Sequence, residues 1–400
     1  MRFLFLFAVS LAAATAQTPS AFEDIARQMG GLRGIPIGGS SPQYHYPSEG
    51  TTIRLKDGAV LHAFNRRERP KEKDGTWHAH YVATVIAATY SRDLGKTWTA
   101  PQPLLESGAR TASHPSLVRL PNGELGLSYN RIHDEKRAEK VFRYSKDEGK
   151  TWSPELVITP LDGYWTSAHD RLIVHSSGRL IHPFHNKISF NPNRVLTRVG
   201  WSDDNGRTWK IGPDKLHTPD LEPVHAKHHY NQESGFWEVS IAERADGSLL
   251  MLGRTGMGWV YGSESKDRGE SWTAPVQKAL AAPKAPVRLE RVPGSNDLLV
   301  LWNSCCIDPT EAHLGNRLTL SSAISTDGGR TWKWQRDIES IVPTPGAKFT
   351  DVSYPSIYFD GGLAYVTYFA RRLPAELQGE QYVSVLPLSW FYAARDNGKR

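Results

Sequence analysis

The sequence predicts an all-β protein folded as a six-bladed β-propeller. Three observations lead to this prediction: an eight-residue motif occurs five times, a strand–turn–strand unit occurs six times, and helical periodicity is almost absent. Small antiparallel sheets that repeat around an axis bury their faces against one another, which is the architecture of a propeller.

The repeated motif is Ser-x-Asp-x-Gly-x-(Thr/Ser)-Trp. Its Asp side chain can accept hydrogen bonds from backbone amides of a turn, its Gly can take a positive φ, and its Trp can pack beneath the turn. We therefore expect the motif to have a structural role and no chemistry. The five copies begin at Ser91, Ser145, Ser202, Ser265 and Ser325.

Each of the six units has two strands of alternating apolar residues around a tight turn that contains Gly. The first five units precede a copy of the motif, whereas the sixth has none. We expect a strand from about Ile35 to Tyr46 to complete the sixth unit and close the ring. The units begin at Gly50, His114, His169, Glu238, Ala285 and Ser353.

The composition is that of a folded chain, with 39% hydrophobic and 22% charged residues among 400. Beyond the N-terminus no segment approaches the roughly 18 apolar residues that a membrane span needs. The net charge of +6 is mild and no Lys/Arg run occurs, so nucleic acid is not an expected partner. A basic pocket for an acidic ligand is compatible with this charge.

The N-terminus has the pattern of a secretory signal, with Arg2, an apolar run over residues 4–14 and a small-x-small cleavage site ending at Ala16. We therefore expect a secreted or periplasmic protein, and a monomer. Cys305 and Cys306 are adjacent, so they form no disulfide framework and their redox state stays open. No metal-ligand spacing occurs, and no cofactor is expected. The predicted segments are a signal peptide over 1–16, a lead-in over 17–34 and the propeller over 35–395.

Polar residues recur at fixed distances from the turn Gly of each unit. Because the inner strand of a propeller blade begins at the central pocket and the next strand returns to it, these positions predict one pocket with the residue types of a sugar site. The alternative is that strand ends are simply polar. The positions are Glu49, His114, His169 and Glu238 nine residues before the Gly, Asn65, Asn130, His185 and Arg254 seven residues after it, Asn303 in unit five and Tyr354 in unit six.

The repeated motif on a six-unit pattern resembles the Asp-boxes of the sialidase (neuraminidase) superfamily of BNR-repeat proteins, over about residues 45–395. Glu238 begins a pattern similar to that family's Glu-x-x-x-x-Glu-x-x-Asp-Gly, and Arg254 stands 16 residues after it, as in the family. Tyr354-Pro355-Ser356-Ile357 is similar to the context of the family's nucleophile.

The resemblance implies roles for these residues. Tyr354 would be the nucleophile and Glu238 its base, since an anionic substrate repels a carboxylate nucleophile and a neutral phenol avoids this repulsion. Arg254 and Arg317, the latter eight residues before the last Asp-box, would hold a sugar carboxylate through charge-assisted bonds. An exposed strand charge is the alternative for Arg317.

The chain departs from the family pattern in two places. The family's first Arg, in an Arg-Ile-Pro motif, is replaced by a segment that contains Glu49. The family's acid/base Asp stands about eleven residues before the first box, where this chain has His80, with Asp74 in the same loop. A histidine can perform that role near neutral pH, and the choice between His80 and Asp74 stays open.

Three functions follow as alternatives. The first is a secreted exo-glycosidase, similar to an exo-α-sialidase, that hydrolyses a terminal acidic or modified sugar from a glycan. The second is a lyase on a uronate-containing polysaccharide, for which His114, His169 and His185 with Asn130 are suitable groups. The third is a glycan-binding propeller without turnover.

Overall fold

The computed structural model describes residues 31–38, 41–68, 84–105, 111–134, 136–190, 193–218, 234–304, 317–341, 351–371 and 379–393. These residues form strands and one short 3-10 helix, Leu388–Tyr392. Within these ranges no helix is long and apolar enough to cross a membrane.

The strands, in chain order, are β1 Leu32–Gly38, β2 Tyr44–Arg54, β3 Val60–Glu68, β4 Thr84–Ser91, β5 Gln102–Pro103, β6 Thr111–Arg119, β7 Leu125–Ile132, β8 Ala138–Ser145, β9 Leu156–Val157, β10 Trp165–Thr166, β11 Ile173–Val174, β12 Leu180–Phe190, β13 Asn193–Ser202, β14 Lys210–Ile211, β15 Ser234–Gly235, β16 Trp237–Glu243, β17 Leu249–Arg254, β18 Trp259–Ser265, β19 Val276–Ala281, β20 Arg288–Arg291, β21 Leu298–Asn303, β22 Thr319–Ser325, β23 Lys333–Ser340, β24 Asp351–Asp360, β25 Leu363–Arg371 and β26 Glu380–Pro387.

The strands form six antiparallel blades, which confirms the predicted six-bladed propeller. Blades 1, 2, 4 and 5 have the orders β2-β3-β4-β5, β6-β7-β8-β9, β16-β17-β18-β19 and β20-β21-β22-β23. In blade 3 the inner strand is split, because β10 and β11 both pair with β12, and the order continues through β13 to β14. The short β15 adds a parallel pairing to β13.

Blade 6 joins the two ends of the chain, with the order β24-β25-β26-β1. The closing strand runs over Leu32–Gly38 and not over the expected Ile35 to Tyr46. The physical reason is a turn: Ser41 Oγ accepts a hydrogen bond from the Tyr44 amide at 3.1 Å, and Tyr44 then begins the inner strand of blade 1. The first three residues of β1 thus extend into the expected lead-in.

Hydrophobic clusters fill the interfaces between neighbouring blades. β25 shows the consequence, since eight of its nine residues are buried: it is a middle strand with a blade packed on each face. At the junction of blades 6 and 1, Tyr365 and Val385 pack with Val60 and Trp98. Five further clusters join blades 1 and 2, 2 and 3, 3 and 4, 4 and 5, and 5 and 6. The ring is therefore closed by burial at every junction.

The Asp-box turns have the structural role that their sequence predicts. In the third copy, Asp204 Oδ1 accepts a hydrogen bond from the Thr208 amide at 2.9 Å, and Trp209 Nε1 donates to the Gly206 carbonyl at 3.1 Å. Gly206 has a φ of 82°, and a Cβ there would lie 2.2 Å from the Phe142 ring of blade 2. The motif thus holds a turn that presses against the preceding blade.

Candidate functional site

Four inner strands begin with a β-bulge centred on a non-glycine residue of positive φ. These residues are Glu49, His114, Glu238 and Tyr354, with φ between 47° and 57°, and each coincides with a shift of strand register. A bulge turns the bulged side chain away from the normal alternation of the strand. Such backbone strain costs free energy and is found at functional sites.

Six of the sequence-predicted site residues line one cavity of about 290 Å³. The cavity receives side chains from blades 2, 3, 4 and 6 and from the segment before blade 5, which places it at the propeller axis. The predicted residues in its wall are His114, Asn130, His185, Glu238, Arg254 and Tyr354.

Glu238, Arg254 and Tyr354 form the charged centre of this wall. Arg254 Nη1 donates to Glu238 Oε2 at 2.6 Å, and the guanidinium also interacts with the Tyr354 hydroxyl. Although burial opposes ionisation, the charge of Arg254 lowers the pKa of Glu238 to about 2. Burial and then the Glu238 charge raise the pKa of Tyr354. Glu238 is therefore a carboxylate and Tyr354 a neutral phenol at neutral pH.

Arg317 and His169 support Tyr354 from outside the set of lining residues. The Arg317 guanidinium carbon lies 5.5 Å from the Tyr354 ring centroid, and its Nη2 donates to the Lys284 carbonyl at 2.7 Å. The His169 ring meets the Tyr354 ring edge-on at 5.9 Å, and His169 Nε2 lies 3.3 Å from the Pro355 carbonyl. Burial keeps the pKa of His169 well below its ordinary value, so this ring is neutral.

His185 and Asn130 form the wall on blades 2 and 3. His185 Nε2 lies 3.0 Å from the Thr166 hydroxyl, and burial lowers the His185 pKa to about 4. The Asn130 side chain donates to the Ser167 carbonyl at 2.9 Å and accepts from the Ser167 amide at 3.0 Å. Asn130 therefore ties two blades together as well as lining the cavity.

Three other predicted residues lie behind the cavity wall. Glu49, only 2% exposed, accepts hydrogen bonds from Asn65 at 2.6 Å and from Arg67 at 3.3 Å. Asn65 Oδ1 accepts from the His114 amide at 2.7 Å, which fixes the bulge of the next blade. Asn303 is likewise buried and donates to the backbone carbonyl of Val352 in blade 6. None of the three is among the lining residues that the structure describes.

In blade 3 the strained residue is Asp170, not His169. Asp170 accepts hydrogen bonds from Thr51 at 3.0 Å, Arg288 at 2.8 Å and the Ile357 amide at 3.3 Å. These partners belong to blades 1, 5 and 6, so the Asp170 carboxylate connects blade 3 to three other blades through hydrogen bonds near the axis. The predicted register slips by one residue here because the inner strand is interrupted between β10 and β11.

Counting from the turn Gly missed eight of the lining residues, and three of the eight are Trp237, Lys187 and Lys284. Trp237 directly precedes Glu238, and Lys187 stands two residues after His185 on the same face of β12. Lys284 lies one residue before the position that the offset assigns to Ala285. A window of one or two residues around each offset would have included all three.

The predicted acid/base candidates His80 and Asp74, the pair Cys305 and Cys306, and the predicted signal peptide lie outside the described residues. Among the described residues, no group of three or more His, Cys, Asp or Glu side chains is arranged to hold a metal ion.

Comparison with known proteins identifies the family. Residues 83–366 match the BNR repeat-like domain family. A sialidase from Bacteroides fragilis is 27% identical over 203 residues, which cover 49% of this chain and 34% of that protein. The match therefore spans about a third of the length of that relative.

Several solved structures share the fold. A protein of unknown function from Dyadobacter fermentans superposes with a TM-score of 0.69 at 18% identity, over 89% of this chain and 98% of that one. The NanB sialidase from Streptococcus pneumoniae gives 0.65 at 15% identity, over 90% and 71%. The Trypanosoma rangeli sialidase in complex with the inhibitor DANA gives 0.61 at 16% identity, over 88% and 57%. The chain therefore belongs to the BNR repeat-like domain family, and its fold is that of the sialidase propellers.

Proposed function

We propose that this protein is a retaining glycoside hydrolase that removes a terminal acidic sugar from glycans, acting outside the cytoplasm as its predicted signal peptide implies. The observation that carries the proposal is that Glu238, Arg254 and Tyr354 line one cavity, with Arg254 hydrogen-bonded to Glu238. The Tyr354 phenol can attack a sugar carbon, and the Glu238 carboxylate can accept the phenolic proton. The Arg254 guanidinium can bind a sugar carboxylate.

The reaction needs two displacements. First, Tyr354 Oη bonds to the anomeric carbon, its proton passes to the Glu238 carboxylate, and the leaving oxygen departs with a proton from the acid/base group. Then a water oxygen bonds to the anomeric carbon in place of Tyr354, while the acid/base group takes one proton from the water and the phenolic oxygen recovers its own from Glu238. The sum is hydrolysis with retention.

Binding of an acidic substrate increases the basicity of Glu238. With a pKa of about 2, Glu238 is ionised but weakly basic, since Arg254 stabilises its charge. A substrate carboxylate bound by Arg254 and Arg317 adds a second negative charge and shares the guanidinium. Both effects raise the pKa of Glu238 and lower the cost of proton transfer from Tyr354. This explains why an acidic substrate suits the site.

The acid/base group is proposed to be His80, with Asp74 as the alternative. Its spacing from the first Asp-box favours His80, and an imidazole can donate a proton near neutral pH. His80→Ala should impair activity more than Asp74→Ala, and the pH–rate profiles of both variants decide the assignment. If Asp74→Ala is the inactive variant, Asp74 holds the role.

A substrate panel tests the function. The mature protein is incubated with sialosides, uronate polymers and neutral glycosides, and the products are identified by mass spectrometry. The proposal expects release of an acidic monosaccharide with the mass of one added water. Hydrolysis of neutral glycosides alone would contradict it, as would the absence of any turnover, which would favour a binding propeller.

A lyase on uronate polymers is the second candidate, and the neutral His185 in the cavity wall favours it. Such a base could remove the proton next to a carboxylate neutralised by Arg254, and the leaving oxygen would depart with a proton and without consumption of water. The product carries a new double bond. Ultraviolet absorbance from an unsaturated uronate would therefore identify a lyase, whereas its absence during turnover supports hydrolysis.

A further inference from the structure

Two of the bulges at the inner-strand starts have proline as their second residue. They are His114-Pro115 in blade 2 and Tyr354-Pro355 in blade 6, and both prolines are buried. A bulge disrupts the local ladder of hydrogen bonds, and proline has no N–H of its own. The buried proline carbonyl of each bulge therefore needs a hydrogen-bond donor from another part of the fold.

Blade 3 supplies both donors, from two consecutive residues. The Asp170 amide donates to the Pro115 carbonyl at 3.0 Å. His169 Nε2 lies 3.3 Å from the Pro355 carbonyl, and because a carbonyl oxygen only accepts, Nε2 carries the proton of the neutral ring. Both residues lie where the inner strand of blade 3 is interrupted, between β10 and β11, so the Asp170 amide is available to another blade.

The His169 side chain is fully buried, and burial keeps its pKa well below the ordinary value. Nδ1 of the neutral ring is an acceptor, and it has no hydrogen-bond partner among the described residues. A buried unpaired acceptor costs free energy. The favourable contacts of this ring are therefore its Nε2–H and its edge, which meets the Tyr354 ring with 5.9 Å between the ring centroids.

These contacts hold the strained backbone of the Tyr354 bulge. Tyr354 has a φ of 57°, and such a conformation persists only where the surrounding structure enforces it. His169 binds the carbonyl of the next residue, and the Asp170 carboxylate accepts from the Ile357 amide at 3.3 Å. The phenol oxygen lies on the axis of its ring, so its position follows from the backbone and the first side-chain torsion.

We propose that His169 is a positioning residue for the nucleophile, Tyr354. Its Nε2–H fixes the Pro355 carbonyl and its ring edge packs against the phenol ring, so the phenol is held in position before the substrate binds. His169 acts through Tyr354 and does not contact the substrate. Pre-organisation of this kind raises the rate of the chemical step and leaves sugar binding unchanged. The inference rests on the proposed function, because it takes Tyr354 as the attacking group.

Three substitutions separate the hydrogen bond from the ring. His169→Phe keeps a ring and removes the donor, His169→Asn is too short to place a donor at the Nε2 position, and His169→Gln places a side-chain N–H close to it. We expect kcat for the hydrolysis of sialyllactose to fall roughly 10²-fold in the first two variants and to stay within about fivefold in His169→Gln. Rescue by Gln assigns the effect to the hydrogen bond.

Ligand affinity should not follow kcat. Calorimetric titration with free N-acetylneuraminate, which is not hydrolysed, should give dissociation constants within about twofold of wild type in all three variants, because Arg254, Glu238 and His185 are unchanged. A general loss of structure would weaken both binding and turnover.

Amide hydrogen exchange tests the positioning without any turnover. Measured by mass spectrometry, the peptide that contains Tyr354 should exchange roughly fivefold faster in His169→Phe and His169→Asn than in the wild type, since a lost hydrogen bond favours local opening. The same peptide should exchange at the wild-type rate in His169→Gln.

His182→Phe is the matched control. His182 is also a fully buried histidine of blade 3, but its ring nitrogens lie 2.7 Å from the Ser128 hydroxyl and 2.9 Å from the Pro183 carbonyl. It is not among the lining residues that the structure describes. The substitution should lower the stability of the protein and leave unchanged both kcat and the exchange of the peptide that contains Tyr354.

Wild-type kcat or wild-type exchange in His169→Phe overturns the positioning role, as do equal losses in His169→Phe and His169→Gln. Failure of both His169→Phe and His169→Asn to fold shows a structural role alone and also overturns it. Turnover of sialyllactose with full kcat in His169→Phe leaves the proposed hydrolase intact. No turnover of any panel substrate by the wild type, together with faster exchange in His169→Phe and its recovery in His169→Gln, supports the positioning of Tyr354 by His169 and contradicts the hydrolase.

Discussion

The Asp-box turns and the starts of the inner strands share a rare backbone conformation but differ in side-chain chemistry. All but one of the ten non-glycine residues with positive φ in the described ranges belong to these two regions. At the box turns the strained residue is followed by Gly, and its identity varies freely. The strained box residues are Leu94, Glu148, Asn205 and Arg268.

At the inner-strand starts the strained residues all have ionisable side chains, which can accept or donate a proton. They are Glu49, His114, Asp170, Glu238 and Tyr354. In the box turns the backbone is held by the Ser and Asp of the motif, so the turn itself does not require a particular side chain at the strained position. At the inner starts three of the strained side chains line the cavity, namely His114, Glu238 and Tyr354. Asp170 binds residues of three other blades, and Glu49 lies behind the cavity wall. The comparison shows that strain locates special positions, and that chemistry decides which of them serve function.

The largest expected effect concerns the inner starts. Tyr354→Phe and Glu238→Gln should each lower kcat/KM by roughly 10³-fold, because each removes a group that reacts or accepts the proton. The double variant should be little worse than either single variant, since residues that act as a unit are not additive. Steady-state kinetics on a substrate from the panel measures this.

Tyr261→Phe is the control for this prediction, because Tyr261 lies on β18, outside the lining of the cavity. It should retain full activity. An active Tyr354→Phe protein, or strictly additive losses of activity, would contradict the assignment of Tyr354 as the nucleophile and favour the lyase.

The next largest effect is expected from a substitution in a box turn, which should change the stability of the protein but not its activity. Gly206→Ala should lower the free energy of unfolding by about 2–4 kcal/mol, since the new Cβ combines a positive φ with a clash against Phe142. Urea unfolding measures it, and kcat/KM per folded molecule should not change. Gly247→Ala is the matched control: its φ is 78° but nothing lies within 4 Å of the Cβ, so it should cost only about 1 kcal/mol. Equal losses would show that packing on the preceding blade is unimportant.

Acid should destabilise the propeller through its buried histidines. Burial lowers the pKa of His62 to about 3 and of His185 to about 4, against 6.5 for an ordinary histidine. The unfolded chain therefore binds more protons below pH 6.5, and stability is lost as the pH falls from about 6.5 towards those folded-state values. Each histidine contributes about 1 kcal/mol per pH unit between pH 6 and 5.

Substitutions distinguish the role of His62, which is structural, from that of His185, which lines the cavity. His62 lies next to the Thr52 hydroxyl and near the Trp98 ring of the first box, whereas His185 lines the cavity. His62→Gln should reduce the pH slope of stability and leave kcat/KM unchanged, while His185→Gln should reduce both. Unfolding at several pH values measures the slope, and an unchanged slope in both variants would contradict the assigned neutral state.

The smallest effect tests the strain directly. His114→Gly should be about 1 kcal/mol more stable than His114→Ala, because Gly adopts the φ of 56° without penalty. Asn205→Gly and Asn205→Ala should show the same order at a φ of 58°. The two positions should differ in activity: both His114 variants lose it and both Asn205 variants keep it. Loss of activity in the Asn205 variants would contradict the claim that the strained residues of the box turns have no role in activity.

The sequence predicts the fold and much of the cavity because both depend on repeated local patterns. The box fixes one turn in each of five blades, and the distance to the turn Gly fixes the inner start, so His114 and Glu238 can be placed together by counting. Tyr354 follows a shorter spacing and is placed by the start of its strand and by the family resemblance. Counting works while a strand keeps its alternation and its length.

The positions of the other site residues depend on contacts between blades, which local sequence patterns do not encode. Asn65 and Asn303 end their strands at the expected positions, yet their amides bind the backbone of the next blade rather than lining the cavity. In blade 3, where the inner strand is split, the residue with positive φ is Asp170 and not the counted His169. Lys284 lies in the segment before β20, one residue outside the counted position, so the exact offset does not find it.

Trapping of the covalent intermediate tests the central claim most directly. The wild-type protein is mixed with an acidic-sugar substrate, quenched in acid during turnover and digested, and the peptides are examined by mass spectrometry. We expect the peptide that contains Tyr354 to carry one glycosyl unit, and the adduct to disappear in Tyr354→Phe. An adduct on another residue, or turnover that yields an unsaturated uronate without any adduct, would contradict the account.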